Sequence, residues 1–436
     1  MKRPLVIILL VVALALVCLG IGAVTFFTVN DGFRNNNPFD GRNISSSLEE
    51  NKTLKVDATK PITLHVADDS GSVSITGADV DTMQVQVVMT AYDSSQQRAD
   101  QEVKTIKYNI EQNGNTITLK YELPKSMNFS NKVNTVDFIV TLPHEVAVDV
   151  NSSTGKVSVA NTKGNVVIEN DFGEVTAENI EGALSVSNSS GDIEATGIKA
   201  GTENIDLNSD FGNISLEKAN AADITFNSSS GKVSLKDVNA TGDFYSKSGF
   251  GDTKFENGSA ASVTIESSSG EVELIKVKAG SLLKVKDDFG DITLTDATAK
   301  SYDLHSNSGA VTADGIQNSL KASTDFGNIE VTNAQAVTLN LLTKSGSVEF
   351  SGSLGEGPQE VNTDFGNITL VLPADSKLNV DLSTDFGNIK SDLPITVTLT
   401  ETSDSNSDHI VGTINGGGEQ LTAKTKSGNV NIQAGK

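Results

Sequence analysis

The chain has 436 residues, 20% of them charged, and a formal net charge of −23. So acidic a surface repels nucleic acids and anionic head groups, which argues against a nucleic-acid-binding role. A single cysteine, Cys18, excludes an internal disulfide, and the lack of tryptophan with only five tyrosines counts against a dedicated glycan pocket, where rings would stack on sugars.

In chain order, Met1-Lys2-Arg3 precedes an uncharged run from Leu5 to Phe27. A helix there spans about 34 Å at 1.5 Å per residue, enough for a hydrocarbon core of about 30 Å. The reading is a single-pass anchor over residues 5–29 with a stub, 1–4, held inside by its basic residues. A cleaved signal peptide fits less well, because its apolar region is shorter, about 7–15 residues, and no small-residue cleavage site follows. Lipidation at Cys18 is disfavoured by Val17, where a small residue is expected. The expected location is the cell membrane, with the bulk of the chain extracytoplasmic. Residues 30–57, with "RNNNPFDGRNISSSLEEN", read as a polar linker.

Residues 58–150 form an irregular, strand-rich leading and capping region. "ITLHV", "SVSIT", "MQVQVVM", "TITLKYEL" and "VDFIVTLP" alternate apolar and polar residues as half-buried strands do. "SSQQRADQEVKT" suits a short helix.

From residue 151 to 436 one unit recurs, marked by Gly155, Gly173, Gly191, Gly212, Gly231, Gly251, Gly270, Gly290, Gly309, Gly327, Gly346, Gly366 and Gly387, then by Gly428 after a degenerate copy near Asp408. A sustained period of about 19–20 residues signals a solenoid. Each unit carries two alternating strands and a polar turn between them. The predicted fold is therefore all-β: a β-solenoid of about 19–20-residue coils behind one N-terminal transmembrane helix. One unit per coil is favoured over two because every unit has its own midway turn.

The corners alternate. Phe172-Gly173, Phe211-Gly212, Phe250-Gly251, Phe289-Gly290, Phe326-Gly327 and Phe365-Gly366 are separated by serine corners such as Ser190-Gly191, Ser230-Gly231 and Ser269-Gly270. Phe386-Gly387 is a further corner of this kind. Counting by twos from Ile205 and Leu207 through Ser209 places Phe211 on the inward side. The phase then slips at Gly212, so that Ile214 and Leu216 point inward. The expectation is that each ring is buried and covers the small serine of the next coil, contributing roughly 1.5–3 kcal/mol.

The triplet Asp-Phe-Gly also occurs in protein kinases, but no glycine-rich phosphate loop or "HRD" accompanies it, and its recurrence at the structural period marks a corner. The aspartates Asp171, Asp210, Asp288, Asp325, Asp364 and Asp385 form a sparse column, read as turn-capping groups that bond nearby backbone N–H. Calcium is left open but disfavoured, since successive ligands would stand about 9.6 Å apart. His65, His144, His305 and His409 show no metal or nucleophile spacing. No catalytic, cofactor-binding or metal residues are assigned, no cofactor is expected, and the chain reads as a non-enzyme.

"ITLHVADDSGSVSITG", "VDFIVTLPHEVAVDVNSSTGKVSV" and the serial "SSGxV" and "DFGxI" corners resemble a bacterial family of β-strand-repeat proteins of unknown function labelled "putative adhesin". The resemblance covers Leu54 to the C-terminus. It implies a β-solenoid on the cell envelope and supplies no catalytic residues. The expected function is that of a membrane-anchored bacterial surface protein, adhesin-like or envelope-scaffolding, whose partners are the membrane and wall or host-surface components. The alternatives are an envelope-stress sensing component acting through a membrane partner, and a polysaccharide-active β-helix enzyme.

Overall fold

The structure is a computed structural model and describes residues 25–27, 44–123, 133–402 and 408–435. The predicted membrane anchor lies almost wholly outside the described residues. Of its residues only Thr25–Phe27 is described, as a short strand antiparallel to Ser47–Glu49. Among the described residues, no helix is long and apolar enough to cross a membrane. Ile44–Lys55, expected within a polar linker, is instead a 12-residue strand antiparallel to Thr82–Asp93. The alternating "MQVQVVM" of Thr82–Asp93 explains this: it offers a long strand whose Met83, Val85, Val87 and Met89 are buried.

The chain divides into two compact units, residues 1–162 and 163–436. In the first, Ile62–Asp68 pairs in parallel with Val146–Thr154 and Thr116–Glu122, and Val73–Ala78 pairs in parallel with Thr135–Pro143 and Val157–Ala160. The expected helix is present as Gln96–Glu102, with Ser95 as its N-cap. Asp68 and Tyr121 are both buried here, and the Tyr121 hydroxyl donates to Asp68 Oδ1 at 2.6 Å. Burial pushes the Asp68 carboxyl up to about 6.

The second unit is a β-solenoid with one repeat per coil. Consecutive units stack in parallel: Ile205 and Leu207 pair with Ile224 and Phe226, and Ile214 and Leu216 pair with Val233 and Leu235. These residues are buried, and the small Ala219 and Ala221 close the third side of the coil. Six residues beyond the corner glycine the chain bends again through a left-handed residue, such as Lys218 or Asp237, both at φ 56°. Part of the core is aromatic: Phe244 and Phe255 stack at 4.7 Å between centroids. Gly258 makes room for that stack, since a Cβ there would overlap the Phe255 ring.

The C-terminal coils are out of sequence order. Glu419–Ser427 pairs in parallel with Gln359–Phe365 on one side and with Leu378–Phe386 on the other. Val430–Gly435 sits in the same way between Ile368–Pro373 and Ile389–Ser391. The last strands of the chain are thus inserted between two coils made earlier. Asp408–Ile414, read above as a degenerate coil, is instead an antiparallel partner of Leu378–Thr384, and Ile395–Thr402 pairs antiparallel outside it.

Candidate interaction surface

The corner glycines form a column of close backbone contacts. A Cβ on Gly212 would overlap the carbonyl oxygen of Gly191, and its φ of 154° is one that L side chains rarely adopt. The same contact runs Gly346, Gly366, Gly428, Gly387, which follows the inserted order of the C-terminal strands. The residue after each glycine extends the ladder: Asn213 N–H donates to Asp192 Oδ1 at 2.8 Å, and Lys232 N–H to Asn213 Oδ1 at 2.9 Å. Here too the order is Asn367, Asn429, Asn388.

Three residues before the glycine, a small polar side chain points inward. Asn170, Asn188, Ser209, Ser228 and Ser267 are buried at this level, as are Ser306, Thr324, Thr343, Thr363, Thr425 and Thr384. Several bond the glycine carbonyl of the preceding coil: Thr324 Oγ1 donates to Gly309 O at 2.9 Å, and Thr425 Oγ1 to Gly366 O at 2.9 Å. Asp287 occupies the same level. Burial lifts its carboxyl to about 6, against the opposing pull of the Phe289 and Asp288 backbone N–H groups.

The phenylalanines are outside. Phe172, Phe211, Phe250, Phe289, Phe326, Phe365 and Phe386 are 59–67% exposed, which overturns the expectation of buried rings covering serines. The pairing register gives the reason. Ser209 pairs with Ser228 and Phe211 with Ser230, while Asp210 and Ser229 are passed over. The strand breaks its alternation at Asp210, so Ser209 is the last inward residue and both Asp210 and Phe211 face out. The corner interior is already filled by the inward hydroxyl or amide and the stacked glycines, leaving no volume for a ring.

Phenylalanine and serine do alternate coil by coil, as expected: Phe172, Ser190, Phe211, Ser230 and Phe250 are successive register partners. Inserting Ser427 between Phe365 and Phe386 keeps the alternation where the sequence alone breaks it. Ring-bearing coils are about 9.6 Å apart, twice the spacing of adjacent strands.

Where the contacts of these aspartates are defined, they go to side chains of other residues rather than to turn N–H groups. Asp210 Oδ1 accepts from Ser229 Oγ at 3.4 Å, Asp325 Oδ2 lies 2.7 Å from Lys344 Nζ, and Asp364 Oδ1 lies 2.8 Å from Lys426 Nζ. Among the described residues, no group of three or more His, Cys, Asp or Glu is placed to hold a metal ion. The histidines bond locally: His65 Nδ1 lies 2.9 Å from Asp149 Oδ2, and His409 Nε2 lies 2.8 Å from Asp381 Oδ1.

Beside the first three rings runs a polar groove. Its lining includes Glu169, Asp171, Asn208, Asp210, Asn227, Ser229 and Lys247. Sequence reasoning missed this groove. Its signal was the polar pair before each of these corners, Asn170-Asp171, Asn188-Ser189, Ser209-Asp210 and Ser228-Ser229, where the apolar alternation stops.

These features define a β-solenoid that presents an ordered outward column of rings. Residues 199–287 and 281–433 match the family Toastrack DUF4097, and the chain belongs to that family. Residues 66–177 also match a ToastRack module found in some PspC. No curated protein matches the chain. Solved structures similar to it include a "putative cell adhesion protein" from Clostridium sporogenes, with 10% identity over 89% of this chain and 100% of the other, and a TM-score of 0.18. A "putative adhesin" from Bacteroides fragilis has 13% identity over 70% of this chain and 96% of the other, TM-score 0.25. Another from Parabacteroides distasonis has 14% identity over 65% and 96%, TM-score 0.30.

Proposed function

We propose that the chain is a non-catalytic, adhesin-like surface protein. In this reading the apolar stretch before the Thr25–Phe27 strand, residues 5–24, anchors it in the membrane, the solenoid stands outside the cell, and the stretch of column from Phe172 to Phe250 is its binding face. The exposed, evenly repeated rings support this most directly. A large apolar side chain kept outside at every second coil, where it adds little to folding, is best explained by contact with something else. Phe172, Phe211 and Phe250 belong to the same coils as the groove residues Asp171, Asn208, Asp210, Asn227 and Ser229. Rings offer flat apolar faces and the amides and carboxylates bond hydroxyls, which suits a hydroxyl-rich polymer of the wall or of a host surface. Repetition at a fixed pitch makes binding multivalent. These rings supply the aromatic faces that the tryptophan-free composition argued against.

The test is binding of the full chain to isolated wall polymers and host matrix, with and without calcium. Replacing Phe172, Phe211 and Phe250 by serine is expected to weaken binding at least about tenfold, or 1.4 kcal/mol. Absence of binding to every such polymer contradicts the reading.

A second reading is favoured by the match of residues 66–177 to a module found in some PspC: a regulatory component of the envelope-stress response acting through a membrane partner. Co-purification of one membrane protein with the full chain, abolished when residues 5–24 are replaced by an unrelated apolar span, would distinguish it from the first.

A further inference from the structure

Toward the C-terminal end of the column the residue before each serine corner becomes a lysine, where Ser189, Ser229 and Ser268 stand in earlier coils. Each ring there is preceded by an aspartate and each serine by a lysine: Asp325-Phe326, Lys344-Ser345, Asp364-Phe365, Lys426-Ser427, Asp385-Phe386. The register places Ser345 beside Phe365, Phe365 beside Ser427, and Ser427 beside Phe386. Bulk and charge therefore alternate in phase, and the inserted strand preserves both patterns. Lys344 and Lys426 each bridge an aspartate of their own chain, yet their side chains remain 61% and 64% exposed.

A surface of this kind is the complement of itself displaced by one coil, about 4.8 Å. The geometry points to a second copy of this chain as the occupant of the column from Phe326 to Phe386. Two copies packed antiparallel around a two-fold axis between the Ser345 and Phe365 coils set Phe326 over the partner's Ser427 and Phe365 over the partner's Ser345, with Asp325 against Lys426 and Asp364 against Lys344, and leave the Phe386 coil at the rim. Parallel in-register packing would set ring on ring and aspartate on aspartate. The antiparallel arrangement is isologous and closes at two copies. The strip is four coil steps long, about 19 Å, so the contact belongs to the small, weak class of interfaces. Its charge pattern sets orientation and register more than affinity. The groove beside Phe172 to Phe250 lies on earlier coils, so this inference does not rest on the polymer-binding reading.

The experiment is sedimentation of the full chain in detergent at about 50 μM, within reach of a micromolar dimer. One variant makes the strip wholly acidic, Lys344→Asp with Lys426→Asp. A second makes it wholly basic, Asp325→Lys with Asp364→Lys and Asp385→Lys. The parent is expected to sediment as a dimer, each variant alone as a monomer, and their equimolar mixture as a dimer again. A monomeric parent overturns the inference, as does either variant dimerising as well as the parent. A mixture that stays monomeric while both variants keep the parent's circular dichroism also overturns it. If a charge variant fails to fold, Phe326→Ser with Phe365→Ser and Phe386→Ser serves instead. These are exposed positions, and dimerisation undiminished in that variant overturns the inference as well.

Discussion

Phe365 and Ser427 are register partners in adjacent strands, although the chain travels through another coil and an antiparallel strand pair before it returns to place them side by side. The glycines that follow them, Gly366 and Gly428, are in backbone contact, and Gly428 in turn meets Gly387. Three ladders agree on this order: corner residues, glycines, and the Asn367–Asn429–Asn388 hydrogen bonds.

That insertion predicts a specific dependence of the final coil on the end of the chain. Deleting residues 419–436 leaves Leu378–Phe386 paired only with Asp408–Ile414 and removes the partner of Ile389–Ser391. Hydrogen exchange should show amides of residues 378–391 losing protection in the deletion while those of 205–294 keep it, because repeats interact only with their neighbours. Unchanged protection across 378–391 would mean that these strands stack directly on Gln359–Phe365.

The glycine column predicts that folding energy lies in the backbone contact. Gly212→Ala puts a methyl group into the Gly191 carbonyl at a φ of 154°. The expected loss is more than about 2 kcal/mol in urea unfolding, combining overlap with backbone strain. A loss below about 0.5 kcal/mol, ordinary for a surface change, would contradict the close packing.

Asp287 gives a pH signature. Its folded carboxyl sits at about 6, above its ordinary value of 3.8, so the folded state holds the proton more tightly than the unfolded state. Its contribution to stability is therefore complete below pH 3.8 and is lost as pH rises through about 6. Asp287→Thr installs the residue used at Thr324 and Thr343 and should stabilise the chain at pH 8 by on the order of 2 kcal/mol. The gain should shrink toward pH 4. Asp68, also raised to about 6 by burial, has the same sign, and Asp68→Asn should flatten the same window. A gain for Asp287→Thr that grows toward low pH would reverse the assignment.

The repeat, its length, its two main strands and the Phe/Ser alternation were legible in the sequence, because glycine and alternating apolar residues recur where a stacked coil needs them. The outward direction of Phe211 was not. Counting by twos assumes an unbroken strand, and the break at Asp210 is a local event that alternation cannot register. An apolar ring also biases any reading toward burial. The contrary signal was present in Asn170, Asn188, Ser209 and Ser228, small polar residues where the last inward side chain falls. The C-terminal insertion was hidden because it depends on pairing between distant strands. Its trace was Phe386 following Phe365 with no serine corner between them. Ile44–Lys55 was read as linker because its polar composition hid a strand held by Thr82–Asp93.

The most direct test of the account combines stability and binding in one variant. Phe172→Ser with Phe211→Ser, Phe250→Ser and Phe289→Ser removes four exposed rings from successive ring-bearing coils. The account predicts an unfolding free energy in urea within about 0.5 kcal/mol of the parent per substitution, with polymer binding lost. An unfolding free energy lowered by about 3 kcal/mol or more per ring, the cost of emptying a core site, would contradict it, as would binding equal to the parent's.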